Sequence, residues 1–150
     1  MAPYLLISSI VITFHVIQKG LIAATSDQST GIRWYNGSWL YTGATGTAIG
    51  TGLANTNSII SSQGETISSY AAGLARAYNG GGYDDWFLPS KDELYKLYIN
   101  KVIIGGFVNT NYWSSSEQDD DFAYKRNFIN GDQNFNTKVN TFHVRAIRAF

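Results

Sequence analysis

The run Gly82-Tyr83-Asp84-Asp85-Trp86-Phe87-Leu88-Pro89-Ser90-Lys91-Asp92-Glu93-Leu94 constrains the fold of this chain more than any other stretch. Trp86-Phe87-Leu88 has the bulk and hydrophobicity of a short buried strand. Pro89 has no N–H to extend a ladder, so the strand stops there. Ser90 follows as a helix N-cap, and Glu93 three residues on completes a capping box, in which each side chain satisfies a backbone N–H that the first turn leaves unpaired. The helix carries Leu94, Leu97 and Tyr98 on one face, and Lys96 and Lys101 lie near its C-terminal end, where the helix dipole favours cations. Upstream, Tyr70, Ala71, Leu74, Ala75 and Tyr78 fall at helical spacing over Ser69 to Asn79, and Gly80-Gly81-Gly82 ends that helix. Thr56 to Ser62 reads as another. A buried strand joined directly to capped helices points to mixed α and β structure.

A chain of 150 residues and 16.6 kDa suits one domain with one core, residues 1–150. Eleven basic and eleven acidic residues cancel, which argues against binding driven by bulk charge, nucleic acid and anionic membrane surfaces included. With no cysteine there is no disulfide framework, thiolate metal site or thiol nucleophile. Charged residues make up only 15%; Gly, Ser, Thr, Asn and aromatics take their place, which is the chemistry of a recognition surface. Tyr4 to Ile17 is apolar but too short to span a bilayer, lacks a basic flank, and is rich in β-branched residues, so it reads as a buried strand. Leu21-Ile22-Ala23-Ala24 reads as a second short strand and Ile32-Arg33-Trp34-Tyr35 as a third. Thr42 to Gly52 has several Gly-x-x-Gly spacings, yet no Gly-Lys-Ser/Thr follows, so it is a loop and not a phosphate cradle.

Seven of the twelve asparagines lie between Asn109 and Asn140. Within that region Tyr112 to Ser116 and Phe122 to Ile129 read as strands, and Asn130-Gly131 as a hairpin turn. Asp132 to Phe142 reads as polar loop. Val144 to Phe150 reads as one closing strand, tied to the apolar N-terminal strand. The expected fold class is α+β: a small mixed or antiparallel sheet, two or three helices, long loops, and paired N- and C-terminal strands.

The sequence from GYDDWFLPSKDEL through NYWSSSE to the terminal VRAIRAF, together with SDQSTGIRWYNG, resembles the C-terminal domain family of bacterial collagen-like proteins, whose fold is that of the C-type lectins. Within that group it is most similar to the variable proteins of diversity-generating retroelements. The resemblance runs from Leu21 to the end of the chain. It implies a C-type-lectin-like scaffold whose ligand-binding surface is built by about residues 112–143. In such proteins, adenine-directed mutagenesis rewrites chosen codons near the 3′ end of the gene, mostly those for Asn. That route cannot yield Gln, Lys, Glu, Trp or Met, so Gln118, Lys125, Gln133 and Lys138 are assigned to scaffold. Formylglycine-generating enzymes share the fold, but this chain has no cysteine for their chemistry.

Other chemistry weighs less. Asp119-Asp120-Asp121 could contribute to a calcium site, but no Glu-Pro-Asn or Trp-Asn-Asp motif accompanies it, and a solvated acidic turn is the simpler account. Ser114-Ser115-Ser116 with His143 could form a nucleophile–base pair, but no nucleophile elbow is present and serines bonding to neighbouring strands explain them better. Asp84 and Asp85 are adjacent and point to opposite sides, so they cannot flank one glycosidic bond. Strand alternation places Phe122, Tyr124 and Arg126 together, and aromatics among Asn, Asp and Thr are hard to explain as core.

The expectation is therefore a binding protein and not an enzyme. Its contacts would be Asp119, Asp121, Phe122, Tyr124, Arg126, Asn127, Asp132, Asn134, Phe135, Thr137, Val139, Thr141 and His143. The ligand would be a protein or glycan on a cell surface. No cofactor, metal, nucleic acid or membrane insertion is expected, and a virion-associated, secreted or cell-surface location is favoured. A fixed-specificity lectin-like or structural head domain is the alternative, with a hydrolase behind it.

Overall fold

The computed structural model describes residues 19–64 and 67–150. The strand expected over Tyr4 to Ile17 lies outside the described residues. Among the described residues seven strands and four α-helices follow in the order β1 (Leu21–Ala23), β2 (Ser29–Arg33), α1 (Gly52–Gln63), α2 (Ala71–Ala77), α3 (Lys91–Ile99), α4 (Lys101–Ile104), β3 (Asn111–Glu117), β4 (Phe122–Asn127), β5 (Gln133–Thr137), β6 (Thr141–Val144) and β7 (Ile147–Ala149). Five strands form one sheet in the order β2-β6-β3-β4-β5, and β1 pairs with β7 in a separate ribbon. The β1–β7 pair is antiparallel, with Leu21 opposite Ala149 and Ala23 opposite Ile147. This is the α+β, C-type-lectin-like arrangement that the resemblance implies, with the beginning and end of the described chain tied together.

The capping box at α3 forms as its sequence requires. Ser90 Oγ accepts from Glu93 N, and Ser90 N donates to Glu93 Oε2 at 2.7 Å. Glu93 does more than cap: its second oxygen accepts from Gly50 N at 2.9 Å, which ties the Thr42–Gly52 loop to the helix start. Gly52 must be small there, because a Cβ on it would lie 2.9 Å from the Leu88 carbonyl oxygen. Trp86-Phe87-Leu88 is buried but pairs at one point only, Phe87 with Ile147. That single bridge stitches the β1–β7 ribbon to the strand–helix junction.

Two hydrophobic clusters divide the interior. The larger gathers Trp34, Ile59, Tyr70, Trp86, Leu88, Trp113 and Val144 between α1, α2 and the sheet. The smaller gathers Phe87, Leu94, Leu97, Tyr112, Phe128 and Ile147 beneath α3. Adjacent residues Tyr112 and Trp113 of β3 enter different clusters, as the two-residue period of a strand requires. Not every tryptophan is core: Trp39 is largely exposed, leaning on Tyr35.

Two expectations are corrected. Asp132 to Phe142 is not a loop. Gln133–Thr137 is strand β5 and Thr141 opens β6. Polarity misled because β5 lies at the sheet edge, where neither face must be apolar and the ladder is made by backbone groups. Nor is Val144 to Phe150 one strand. It breaks at Arg145-Ala146, with β6 on β2 and β3 before the break and β7 on β1 after it. The break follows from Arg145, whose side chain turns to Asp27 and to the carbonyls of Ala24 and Gly105.

Candidate functional site: an aromatic face on strands β4 and β5

Strands β4 and β5 form a hairpin in which Phe122 faces Thr137, Tyr124 faces Phe135 and Arg126 faces Gln133. The turn between them contains Gly131 at φ 83, a conformation that suits glycine. Residues opposed in a ladder share a face. Phe122, Tyr124 and Phe135 therefore stand together, with Phe122–Phe135 centroids 5.5 Å apart and Tyr124–Phe135 6.1 Å apart, both edge to face. Phe135 is 45% exposed. The Tyr124 hydroxyl donates to Gln118 Oε1, which sets the ring against the β3–β4 turn.

Helix α3 supplies two members of this face that the sequence reading missed. Lys91 Nζ lies 4.9 Å from the centroid of the Tyr124 ring. Four residues on, the Tyr95 ring carries the Arg126 guanidinium at 4.7 Å. Helix and strand thus exchange cation–π pairs in opposite senses, each of a kind worth about 0.5–1 kcal/mol at an exposed site. The signal was present: Lys91 and Tyr95 are i, i+4 neighbours, off the face that Leu94 and Leu97 bury.

Arg126 corrects the expectation of a freely exposed arginine. It is only 7% exposed, donates to Gly131 O at 2.6 Å and leaves Nε without a partner. Burial pushes its guanidinium below the ordinary arginine value. Its work is to hold the β4–β5 turn against α3.

The remaining expected contact residues do not share one face. Asn127 is opposite Asn111, and Asn134 is opposite Lys125, so both belong to the other side of the sheet. Asn127 Oδ1 also accepts from Ile129 N within the turn. Asp119 bends inward: its Oδ1 accepts from Asp121 N and Phe122 N and shapes the β3–β4 turn, while Asp121 is exposed. Asp132 is exposed and accepts from Asn130 Nδ2. Thr137 is opposite Phe122, Val139 is exposed in the β5–β6 turn, and Thr141 is exposed opposite Arg33.

His143 is occupied elsewhere. Its Nδ1 lies 2.8 Å from Asp27 Oδ2, which also accepts from the Tyr112 hydroxyl at 2.8 Å, while Arg145 Nε donates to Asp27 Oδ1 at 2.7 Å. Burial, reinforced by Asp27, drives the Tyr112 phenol well above its ordinary range. The three serines are equally committed: Ser114 Oγ donates to Tyr124 O, Ser116 Oγ donates to Gly46 O, and Ser115 Oγ accepts from Asn55 Nδ2. None of the three reaches His143 through these bonds. Asp85 pairs with Arg148 through two bonds of 2.7 and 3.0 Å, and that guanidinium holds the carboxyl below its ordinary value.

Directly behind the aromatic face lies a buried ion pair. Lys138 Nζ is 2.6 Å from Glu117 Oε1, and both side chains are fully buried. Glu117 also accepts from Thr42 N, Thr42 Oγ1 and Gly43 N. Lys138 donates to Leu40 O and rests 4.7 Å from the Trp34 ring. Every polar atom of the pair is thus answered, the condition under which buried charge is tolerated. Among the scaffold residues named from sequence, Lys138 is deeply built in, Lys125 donates to Asn111 Oδ1, and Gln118 holds Tyr124.

Among the described residues no cluster of three or more His, Asp or Glu side chains could hold a metal ion. No described helix is long and apolar enough to cross a membrane. No curated protein matches the sequence. The family model of the Lcl C-terminal domain matches residues 23–148, from β1 through β7, and the chain belongs to that family.

Proposed function

We propose that this domain is a ligand-binding protein, acting by recognition and not by catalysis, whose contact surface is the β4–β5 hairpin and which a retroelement diversifies. The observation that carries the reading is the cluster of Phe122, Tyr124 and Phe135, held edge to face on an edge hairpin and partly open to solvent. Aromatic anchors of this kind dominate binding energetics, since each offers a large rigid contact area at low entropic cost. Further support comes from the strands behind. Glu117, Lys138, Trp113 and Ser114–Ser116 are buried and bonded to the elements behind, so the face can change without disturbing the core. Ser114 and Ser116 donate their hydroxyls to backbone carbonyls, and His143 Nδ1 is held by Asp27, so none of these bonds joins a serine to the histidine as a nucleophile and its base would require.

Sequencing the 3′ end of this gene across a natural population tests the diversification. The expected result is a near-copy repeat beside a reverse-transcriptase gene, with substitutions confined to adenine positions of the repeat and falling on the hairpin. A uniform sequence without a repeat would overturn diversification and leave a fixed-specificity binding domain.

A further inference from the structure

The whole chain is neutral, yet its charge is unevenly used. Most buried or structural carboxylates are answered: Glu117 by Lys138, Asp27 by Arg145 and His143, and Asp85 by Arg148. The aromatic face is different. Asp119, Asp120 and Asp121 form the turn that leads into Phe122, Asp132 closes the far turn of the hairpin, and Asp92 stands beside Lys91 on the first turn of α3. Asp92, Asp120, Asp121 and Asp132 are exposed. Among the described residues, none of these five carboxylates has an ion-pair partner.

The two cations on this face offset them only in part, through the attraction between Asp92 and Arg126. Lys91 is laid over Tyr124, and Arg126 is buried over Tyr95. The same pairs show what the face accepts, because its tyrosine rings already take an ammonium and a guanidinium from the chain itself. Among the described residues no cation lies over Phe135 or Phe122, and Phe135 remains 45% exposed, one same-face step in from the Phe122–Thr137 pair that adjoins the Asp119–Asp121 turn.

Accepting the binding role proposed above, we infer that the face recognises a basic polypeptide segment, with a Lys or Arg side chain laid over Phe135 and answered by the carboxylates of the Asp119–Asp121 turn. An aromatic floor with an acidic rim suits a cation on a long apolar stem, since the stem stacks and the head is neutralised. The same rim repels sulfated or otherwise anionic glycans.

The test pans a phage-displayed library of random dodecapeptides on the full chain. The wild type is compared with Phe135→Ala and with the double variant Asp120→Asn/Asp121→Asn, which changes charge at exposed turn positions with little change of shape. Thermal melting confirms that both variants fold. The expected outcome is at least threefold enrichment of Lys and Arg in retained peptides. Their binding should drop at least tenfold in each variant, and should weaken tenfold between about 50 and 300 mM salt as surface charge is screened. Peptides that depend on Phe135 but are apolar or acidic, or that ignore the Asp-to-Asn changes, would overturn the inference and leave the binding role standing. A selection that yields no Phe135-dependent peptide would overturn both.

Discussion

Strand β4 and its neighbours present two sets of polar and aromatic side chains a few residues apart, and the sets differ in what surrounds them. Glu117 and Lys138 meet at 2.6 Å with no side-chain exposure, and five further contacts absorb their remaining polarity and charge. Phe135 meets Phe122 and Tyr124 edge to face and remains 45% exposed. The first set is over-determined; the second is held chiefly by the hairpin backbone beneath it. Substitution is therefore costly in one and cheap in the other, although Thr137 and Lys138 are consecutive residues. A domain can vary its contact chemistry at no great risk when stability resides behind the contact face, here in Glu117 at the end of β3 and Lys138 just past β5.

Two variants on the buried side should show the largest effect. Trp113→Ala would leave a hole between Ile32, Phe142 and the α1–α2 layer, and would remove the indole N–H that donates to Ile32 O. We expect a loss of about 3–5 kcal/mol in urea unfolding. Lys138→Met keeps the stem and deletes the charge, which strands Glu117 in the interior. Breaking a buried pair from one side costs about 3–5 kcal/mol, of which the bonds from Thr42 and Gly43 to Glu117 would recover a part. A loss below about 1 kcal/mol in either variant would erase the contrast between the two regions.

The Asp27 cluster offers an intermediate case that is read with pH. Tyr112 has an ordinary phenol value of 10.0 and is raised well above it, first by burial and then by Asp27. A raised value means that the native state keeps the proton when the unfolded chain has lost it. The contribution is complete below pH 10 and is lost as pH climbs from there toward the native value. Urea midpoints should therefore fall steadily above about pH 10. Tyr112→Phe should lose about 1–2 kcal/mol at pH 7, because Asp27 and Val108 N lose their bonds to the hydroxyl. The same variant should show a shallower alkaline decline. A wild-type midpoint that stays level from pH 9 to 11 would contradict the burial of this phenol.

The capping box, helices α1 to α3 and the short apolar strands β1 and β7, though not the break before β7, were legible because each has a local cause: a serine three residues before a glutamate, apolar residues at helical spacing, and short apolar runs. Strand β5 was not, because Gln-Asn-Phe-Asn-Thr has no apolar alternation to read and pairs through its backbone at a sheet edge. The aromatic members of the site were legible as rings placed among polar residues. Arg126 was misread because strand alternation tells which side a residue takes, not what packs against that side, and Tyr95 arrives from an element 31 positions away. His143 has the same explanation: its partner Asp27 is 116 residues distant, and no local pattern connects them.

The smallest expected effect belongs to Phe135→Ala. The ring is 45% exposed, and its contacts are the edges of Phe122 and Tyr124. An edge-to-face pair is worth about 0.5–1.5 kcal/mol when buried, so a half-exposed ring on an edge strand should cost under about 1 kcal/mol, near the range of ordinary surface changes. Tyr124→Ala should cost slightly more, since it also removes the bond to Gln118 and the ring beneath Lys91. Both should melt close to the wild type while abolishing ligand capture, the reverse of Ser90→Ala, which removes the α3 cap at about 1 kcal/mol and should leave capture intact. Differential scanning calorimetry beside a binding assay separates the two outcomes. If Phe135→Ala lowered stability as much as Trp113→Ala, the hairpin would be part of the core, and its aromatic residues could not be free to serve as a replaceable contact surface.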